Sequence, residues 1–259
     1  MTPSANTCYT SVFGGFERIW PPLDPGPKTS HLLVTDSPRE VSGWKLITPD
    51  TSAFSSARLA NRRQKMLFHE TLDTDGASVY IDANVRPLTS LEPLFNAFEE
   101  SGADLGMYRH YGRSSVHDEA MACIQRNKVD NPEHVQRELA MYDKAGFPDA
   151  SGMWEGSVIF KNHSSKRLSA AMHEWWEIYS EYQTRDQFSL PYVIWKHKLK
   201  VFDLDDHKPN RATYFVRLQH SSRGPLHRLA RYLQARAPES FWWSIAHRMM
   251  GALAEGFRR

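Results

Sequence analysis

Short apolar runs alternate along the chain with longer segments in which apolar residues recur at helical spacing. The short runs are rich in β-branched and aromatic residues, which is typical of buried strands. They predict strands at residues 9–13, 31–34, 79–85, 105–108, 157–161 and 201–204. The longer segments predict helices at residues 55–70, 91–102, 132–146, 168–179 and 188–197. Because strands and helices alternate, we predict an α/β fold with a mostly parallel central sheet flanked by helices.

Two of these predicted helices begin with recognisable start signals. Thr89 and Glu92 stand at the spacing of a capping box, in which each side chain accepts a hydrogen bond from the other residue's backbone. Asn131 followed by Pro132 provides a cap and a favoured first residue for a second helix. Both signals strengthen the prediction of helices at these positions.

Two oxygen-bearing side chains lie at the end of the third predicted strand. Asp82 and Asn84 are two residues apart, so in a continued strand they point to the same side. Ligands of open α/β sheets bind at the carboxyl ends of the strands, and oxygen ligands suit Mg²⁺ or Mn²⁺ that bridges to phosphates. The pair therefore indicates a metal and diphosphate site, with a simple turn at the strand end as the alternative.

Three cations share one face of the first predicted helix. Arg58, Arg62 and Lys65 follow one another at intervals of four and three residues. Such a face suits a diphosphate, and guanidinium groups bind phosphate oxygens in pairs. The alternative is a solvated basic face, which is the commoner origin of such a pattern.

Two further segments offer carboxylates. Glu155 lies between Trp154 and Gly156, where a glycine-rich loop lets a ligand approach closely, although a tight turn around a packed tryptophan gives the same pattern. Asp186 comes just before the last predicted helix. It is a candidate proton acceptor or sugar-binding group, and the alternative role is a helix N-cap.

Two histidines follow the last predicted strand and are candidates for completing a metal site. His207 follows Asp205 and Asp206, and His220 ends the segment that begins at Val216, but a lone histidine is more often a surface or core residue than a ligand. The sequence contains no cysteine cluster, HExxH motif or nucleophile elbow. It therefore offers no clear zinc hydrolase or serine hydrolase site.

The composition is that of an ordinary globular protein of 259 residues, with 41% hydrophobic residues and a net charge of +2. So small a net charge argues against a nucleic-acid-binding protein. Cys8 and Cys123 are the two cysteines, and the start of the chain lacks signal-peptide character, so we expect a cytoplasmic protein. No apolar run reaches the roughly 18 residues of a spanning helix.

The C-terminal part of the chain departs from this pattern. Residues 217–259 contain eight arginines and two acidic residues, interleaved with apolar residues at helical spacing. We predict a basic helical appendage at residues 222–259 following a domain of residues 1–221. Such helices suit peripheral contact with an anionic membrane at its inner face, and packing on the domain or in a homodimer is the alternative.

Several short motifs stand together in a distinctive order. They are YTSVFGGF at 9–16, TD at 35–36, Trp44, RRQK at 62–65, YIDANV at 80–85, WEGSVI at 154–159, WW at 175–176 and RDQFS at 185–189. From about residue 9 to about residue 220, the chain resembles a glycosyltransferase-like family of bacteria and plants that was formerly catalogued as a domain of unknown function. Plant members of that family are linked to cell-wall polysaccharide synthesis, and some carry an alkaline ceramidase label.

The resemblance implies a GT-A fold, a Rossmann-like sheet that uses a nucleotide-sugar donor, here UDP- or GDP-linked, and a divalent metal, Mn²⁺ or Mg²⁺. Asp82 and Asn84 look like the metal-binding Asp-x-Asp motif, although the last position is asparagine. His220 is implied as the further metal ligand, with His207 as the alternative. Asp186 is implied as the catalytic base, with Glu155 as the second candidate. The implied donor-binding residues are Thr10, Phe13, Gly14, Asp36, Arg62, Lys65, Asp82, Asn84, Gly156 and Gln187.

We therefore expect a metal-assisted transferase that moves a sugar to a hydroxyl group of a glycan or a lipid-linked acceptor, in the synthesis of a bacterial surface polysaccharide or glycoconjugate. Inversion and retention of configuration both stay open. A ceramidase-like hydrolase and a non-catalytic module that binds nucleotides or sugars are the alternatives.

Overall fold

The computed structural model describes residues 6–70, 76–110, 112–149, 152–206, 211–218 and 225–256. The strands are β1 (Asn6–Val12), β2 (Thr29–Thr35), β3 (Lys45–Ile47), β4 (Ala77–Ile81), β5 (Val85–Pro87), β6 (Leu105–Arg109), β7 (Trp154–Asn162), β8 (Val201–Asp203) and β9 (Phe215–Arg217). The helices are α1 (Ala57–Leu67), α2 (Glu92–Ser101), α3 (Val116–Gln125), α4 (Pro132–Lys144), α5 (Lys166–Tyr182), α6 (Asp186–Lys196), α7 (Arg211–Tyr214), α8 (Pro225–Arg236) and α9 (Phe241–Gly256).

Seven strands form the central sheet in the order β3-β2-β1-β4-β7-β6-β8. Strand β7 runs antiparallel to its neighbours β4 and β6, and the other neighbouring strands run parallel to each other. Strands β5 and β9 form a separate antiparallel pair. The predicted α/β fold with a mostly parallel central sheet flanked by helices is therefore confirmed.

Helices and loops cover both faces of this sheet. Successive residues of a strand point to opposite faces, so Tyr9 packs in one core cluster with α1 and α3–α6 while Cys8 packs in the other with α2. Along β4, Tyr80 and Val79 divide in the same way. Because a strand covered on both faces carries apolar residues at nearly every position, the main strands read in the sequence as short continuous runs.

The third predicted strand is shorter than the sequence indicates. β4 ends at Ile81, and a turn closed by a hydrogen bond of 2.8 Å from the Val85 N–H to the Asp82 carbonyl leads into β5. Strand β5 then pairs with β9 instead of continuing in the central sheet. The prediction that Asp82 and Asn84 are alternate residues of one strand is therefore wrong, and the alternative of a turn holds.

The two predicted helix starts have different outcomes. The Asn131 side chain accepts a hydrogen bond of 2.9 Å from the Glu133 N–H, so its role as the cap of α4 is confirmed. The capping box of Thr89 and Glu92 does not form, because α2 begins after Leu91 and has no side-chain cap. The Glu92 carboxylate instead accepts a hydrogen bond of 3.1 Å from the Lys28 N–H, which ties a distant loop to the start of the helix.

The C-terminal segment forms two helices, as its periodicity predicts. Helix α8 packs on the body of the protein, where Ala235 joins Trp20 and Leu218 in a small apolar cluster. Helix α9 leaves Phe241 and Trp242 mostly exposed, at 72% and 76%. None of the helices in the described ranges combines the length and the apolar character that crossing a bilayer requires. The division at residue 221, the membrane contact and the homodimer stay predictions.

A fully buried lysine makes the stability of the fold depend on pH. The Lys161 ammonium in β7 donates hydrogen bonds to the Tyr9 hydroxyl, at 3.0 Å, and to the main-chain carbonyl of Lys65. Burial and the nearby charge of Lys65 lower the pKa of Lys161 to about 7. The unfolded chain therefore binds more protons than the folded protein between pH of about 7 and about 10, and stability rises with pH in that window.

We expect the free energy of unfolding to increase by up to about 1.4 kcal/mol per pH unit over this window on account of Lys161. Urea denaturation at several pH values measures the slope, and Lys161→Met removes it because the titrating group is gone. Lys166→Met, on the exposed start of α5, is the matched control and keeps the slope. An identical pH dependence in wild type and Lys161→Met contradicts the prediction.

Candidate functional site

A cavity of about 400 Å³ opens at the carboxyl ends of β1 and β4. Its lining comes from the end of β1 and the loop that follows, from α1, and from the turn after β4. This is the edge at which open α/β sheets bind ligands, and the volume lies in the usual range for small-molecule sites. The cavity is therefore the candidate functional site.

Helix α1 presents cations to this site. The Ser56 side chain caps the helix by accepting a hydrogen bond from the Leu59 N–H, which fixes where the helix begins. Arg58 and Arg62 then line the cavity, and the Lys65 side chain lies deeper, with 3% of its surface exposed. The alternative of a solvated basic face holds for the half-exposed Arg58 and is wrong for Arg62 and Lys65.

The cations of α1 meet the carboxylate of Asp186 at the start of α6. Lys65 Nζ donates to Asp186 Oδ2 at 2.5 Å, and Arg62 Nε lies 3.3 Å from Asp186 Oδ1. The indole N–H of Trp175 donates to the main-chain carbonyl of Asp186 at 2.8 Å, so α5 fixes the same residue from behind. The N-cap position belongs to Arg185, so the alternative role of Asp186 as a simple cap is wrong.

The charges around Asp186 decide its acidity. Burial acts to raise the pKa of this carboxyl group, but the charges of Arg62 and Lys65 and the hydrogen bond from Lys65 hold the pKa well below its usual value. A carboxylate with so low a pKa is a weak proton acceptor and a strong partner for cations. The arrangement therefore fixes the positions of the two cations, and the role of Asp186 as catalytic base stays a prediction.

Strand β7 passes directly over this cluster at Gly156. A Cβ atom on Gly156 would lie 3.0 Å from Lys65 Nζ and 3.8 Å from Asp186 Oδ2. Glu155, on the neighbouring position, accepts a hydrogen bond of 3.4 Å from the Ser157 hydroxyl, and its Oε2 lies 3.9 Å from Nη1 of Arg217. These residues belong to β7 itself, so the glycine-rich loop predicted here and the alternative of a tight turn around Trp154 are both wrong.

Asp82 and Asn84 both line the cavity, but they differ in their contacts. Asp82 Oδ1 accepts a hydrogen bond of 3.1 Å from the Tyr80 hydroxyl and lies 3.8 Å from Lys65 Nζ, and 30% of the side chain is exposed. The buried Asn84 side chain donates to the Leu218 carbonyl at 2.8 Å, and the Leu218 N–H donates to the Asn84 carbonyl at 2.7 Å. Asn84 thus holds the chain beyond β9 against the site.

The partly exposed carboxylate of Asp82 is a suitable ligand for a divalent metal at this site. No three histidine, cysteine or acidic side chains converge as a metal cluster among the described residues. The Asp82 carboxylate still fits Mg²⁺ or Mn²⁺, since such ions are held by one or two carboxylates and take their other ligands from water and phosphates. His220 and His207, the two predicted further ligands, lie outside the described residues.

The other predicted donor-binding residues lie around this centre. Phe13 lines the cavity, and the Gly14 N–H donates to Asp36 Oδ2 at 2.8 Å, which joins the loops after β1 and β2. Gly14 has φ of +67°, a conformation that favours glycine. Gln187 donates a long hydrogen bond of 3.4 Å to the Trp154 carbonyl. Thr10 is buried within β1 and does not line the cavity.

Asn61, Tyr80, Phe16 and Glu17 are among the lining residues that the sequence did not indicate. Asn61 donates to the Ser11 carbonyl at 2.7 Å, and the Tyr80 ring lies 5.1 Å from Lys65 Nζ. Phe16 is 65% exposed at the cavity, and Glu17 is buried in its wall. Tyr80 and Phe16 stand inside motifs that were singled out, but nothing in a single sequence says which residues of a motif face a cavity.

Most of the chain is similar to a known protein family. A family model for the TOD1/MUCI70, glycosyltransferase-like domain matches residues 27–218. Among curated proteins, no sequence matches the chain.

Solved structures with a related chain trace include two glycosyltransferases. Mouse xyloside xylosyltransferase 1 in its apo form has a TM-score of 0.46 and 13% identity, over 77% of this chain and 85% of that chain. The apo structure of the bifunctional glycosyltransferase WbbM has a TM-score of 0.43 and 11% identity, over 78% of this chain and 39% of that chain. Likenesses this distant say nothing about activity, so the assignment depends on the family match. Because that match spans most of the chain, the protein belongs to the family of the TOD1/MUCI70 glycosyltransferase-like domain.

Proposed function

We propose that the protein is a nucleotide-sugar-dependent glycosyltransferase that moves a sugar from a nucleoside diphosphate to a hydroxyl group of an acceptor. The observation that carries this proposal is that Arg62 and Asp82 line one cavity at the carboxyl edge of the sheet, with the buried ammonium group of Lys65 behind them, 3.8 Å from Asp82 Oδ1. Family membership supplies the reaction class, and the cavity supplies a place for a diphosphate beside positive charge. A glycan or a lipid-linked acceptor of surface polysaccharide synthesis fits this proposal.

The cations of α1 would stabilise the departing nucleoside diphosphate. Negative charge develops on the diphosphate as the sugar leaves, and fixed positive groups stabilise that charge without reorganisation. Arg62 and Lys65 are fixed in this sense, because both contact the buried carboxylate of Asp186. Arg58 reaches the same cavity from the exposed start of α1 and is paired with Asp130.

Asp82 is the residue that would hold a divalent cation in this site. A bound Mg²⁺ or Mn²⁺ would supply further positive charge for the diphosphate. The Tyr80 hydroxyl and the hydrogen bond of 2.9 Å from the Asp82 N–H to the Ser157 carbonyl fix the position of Asp82. The carboxylate is therefore oriented by β4 and β7 before a ligand arrives.

In this proposal the two carboxylates have different roles: Asp186 holds the cations of α1, and Glu155 is the candidate proton acceptor. Asp186 keeps Arg62 and Lys65 in place, and its lowered pKa makes it the poorer proton acceptor. Glu155 does not line the cavity, and its Oε2 lies 3.9 Å from Nη1 of Arg217 on β9. We propose Glu155 as the better candidate of the two for accepting a proton from the acceptor hydroxyl, because Asp186 is engaged by Arg62 and Lys65.

A thermal-shift experiment tests the proposal. We expect UDP or GDP with Mn²⁺ to stabilise the protein by about 2.7 kcal/mol at a concentration one hundred times the dissociation constant. For a chain of this size that raises the melting temperature by about 5 °C or more. Mn²⁺ alone and adenosine alone are the controls.

The outcomes separate the proposal from its two alternatives. Stabilisation by a nucleoside diphosphate, followed by transfer or slow hydrolysis of the matching nucleotide sugar, supports the transferase. Stabilisation without turnover of any nucleotide sugar favours a binding module. No response to any nucleoside diphosphate contradicts the proposed donor site and favours the hydrolase.

A further inference from the structure

One wall of the cavity is formed by the loop of residues 13–28, which joins β1 to β2 and contains no strand or helix. It has Gly14 and Gly15 at positive φ near its start, and it contributes Phe16 and Glu17 to the cavity lining. A segment without strand or helix pairing takes its position from whatever packs against it. The shape of the cavity therefore depends on the neighbours of this loop.

One such neighbour is helix α8, which comes from the C-terminal part of the chain. Arg231 Nη2 lies 2.7 Å from Glu17 Oε1 and donates to the Arg18 carbonyl at 3.0 Å. The two charged side chains are 5% and 1% exposed, so the ion pair is buried inside the wall. Removing one partner of such a buried ion pair strongly destabilises a folded protein, because the charge of the other partner loses its compensation.

A second set of contacts joins a later part of the same loop to the far end of α8. The buried Arg86 of β5 donates to the Pro21 carbonyl at 2.8 Å and to the carbonyl of Ala235, and its Nη1 lies 3.0 Å from Oε1 of Glu239. The Trp20 ring packs against Tyr232 of α8, with the ring centres 5.7 Å apart. The loop is thus held at Glu17 and again at Trp20 and Pro21.

The loop and the helix share one further property. The matched family domain begins at residue 27 and ends at residue 218, so the helix and all but the last two residues of the loop lie outside it. Each nevertheless contacts the other, across 213 positions of the sequence in the case of Arg231 and Arg18. The part of the cavity wall that lies before the matched domain is therefore held by the helix that lies after it.

We propose that α8 is a brace that sets the nucleotide-binding shape of the cavity, with Arg231 as a positioning residue that acts through Glu17. This inference rests on the proposed function, since it assumes that the cavity binds the donor nucleotide. Arg231 fixes the loop and also neutralises a carboxylate in the wall. Without Arg231, the loop loses its fixed position and Glu17 adds negative charge beside an incoming diphosphate.

The test compares Arg231→Met with Arg228→Met, which changes an exposed arginine on the same helix. Hydrogen exchange of residues 14–19 in the full-length chain without nucleotide reports on the loop. Titration with UDP and with GDP in the presence of Mn²⁺ reports on the cavity. For Arg231→Met we expect exchange of this loop to become at least about tenfold faster and the dissociation constant to rise at least about tenfold, as for a lost charged contact of about 1.4 kcal/mol or more. Arg228→Met should match wild type in both measurements.

Two further variants keep the test decisive if Arg231→Met does not fold. Arg231→Lys preserves the charge and should retain most of the affinity. Glu17→Gln removes the same ion pair from the loop side and should also speed exchange of the loop. If folded Arg231→Met or Glu17→Gln has the same rate of loop exchange and the same nucleotide affinity as wild type, the proposal that α8 acts as a brace is wrong. Faster exchange with unchanged affinity overturns the positioning role. If the wild-type chain binds neither nucleotide, the proposed function is wrong, and so is the positioning role of Arg231. If wild type binds a nucleotide but the variants behave like wild type, only the proposal of a brace is wrong.

Discussion

Replacing Lys65 by methionine is expected to lower both the stability of the protein and its affinity for nucleotides. The Lys65 side chain is almost fully buried and contacts the carboxylates of Asp186 at 2.5 Å and Asp82 at 3.8 Å. Without the ammonium group, Asp186 keeps only the more distant Arg62 as a partner in the buried cluster. Breaking a buried ion pair from one side costs about 3–5 kcal/mol, and we expect about 3 kcal/mol here because Arg62 remains. Urea denaturation measures this loss.

A double variant separates the structural role of this cluster from its binding role. Lys65→Met combined with Asp186→Leu removes both charges, and replacing a buried ion pair by apolar side chains is often neutral or stabilising. We expect the double variant to regain part of the lost stability, because Arg62 then lacks Asp186 as its partner, and to bind UDP or GDP no better than Lys65→Met. Lys128→Met, at an exposed position, is the surface control and should behave as wild type. A double variant with wild-type nucleotide affinity would show that the cluster only stabilises the fold.

The strands of the central sheet were predictable because burial on both faces leaves a plain signal. Residues 31–34 and 157–161 are buried almost throughout, so each reads as a short apolar run. Strand β3 escaped prediction, since it has three partly exposed residues at the edge of the sheet. Helix α3 also escaped prediction, because its buried positions, Val116, Glu119, Ala120 and Cys123, include one charged and two small residues and so form a weak apolar stripe. The turn after β4 was misjudged because the sequence continues into another strand, β5, which belongs to a different sheet.

The candidate site was predictable in its parts and not in its pairings. The cations of α1 follow the spacing of a helix face, and the oxygen-bearing residues after β4 stand two positions apart, so each set was visible in a short window. The contact between Lys65 and Asp186 joins residues 121 positions apart, and no local pattern specifies it. The same applies to Glu17 and Arg231, which in the sequence are a single acidic residue and one of eight arginines in the C-terminal segment. Pairings of this kind depend on the order of strands in the sheet, which a single sequence leaves open.

Replacing Asp82 by alanine is expected to remove the part of nucleotide binding that depends on Mn²⁺. Asp82 is the acidic residue of the described cavity that lies on the turn after β4, and its carboxylate is partly exposed to the ligand. Wild type should show a larger thermal shift with nucleoside diphosphate and Mn²⁺ together than with nucleotide alone, because the ion would contact both the carboxylate and the phosphates. In Asp82→Ala the two shifts should become equal.

The remaining shift in Asp82→Ala carries its own information, because Arg62 still lines the cavity and the buried Lys65 still lies behind it. Asp82→Ala removes one of the two carboxylates near Lys65 and leaves Asp186. With less negative charge beside the cations, a nucleotide without metal should bind at least as well as it does to wild type. Asp82→Asn keeps an acceptor for the Tyr80 hydroxyl and tests whether charge, rather than the hydrogen bond, holds the ion. Asp118→Ala, on the exposed first turn of α3, is the control for loss of an acidic residue. If Asp82→Ala retains the full Mn²⁺-dependent shift, the ion binds elsewhere, and the cations of α1 are then the part of the proposed donor site that still explains diphosphate binding.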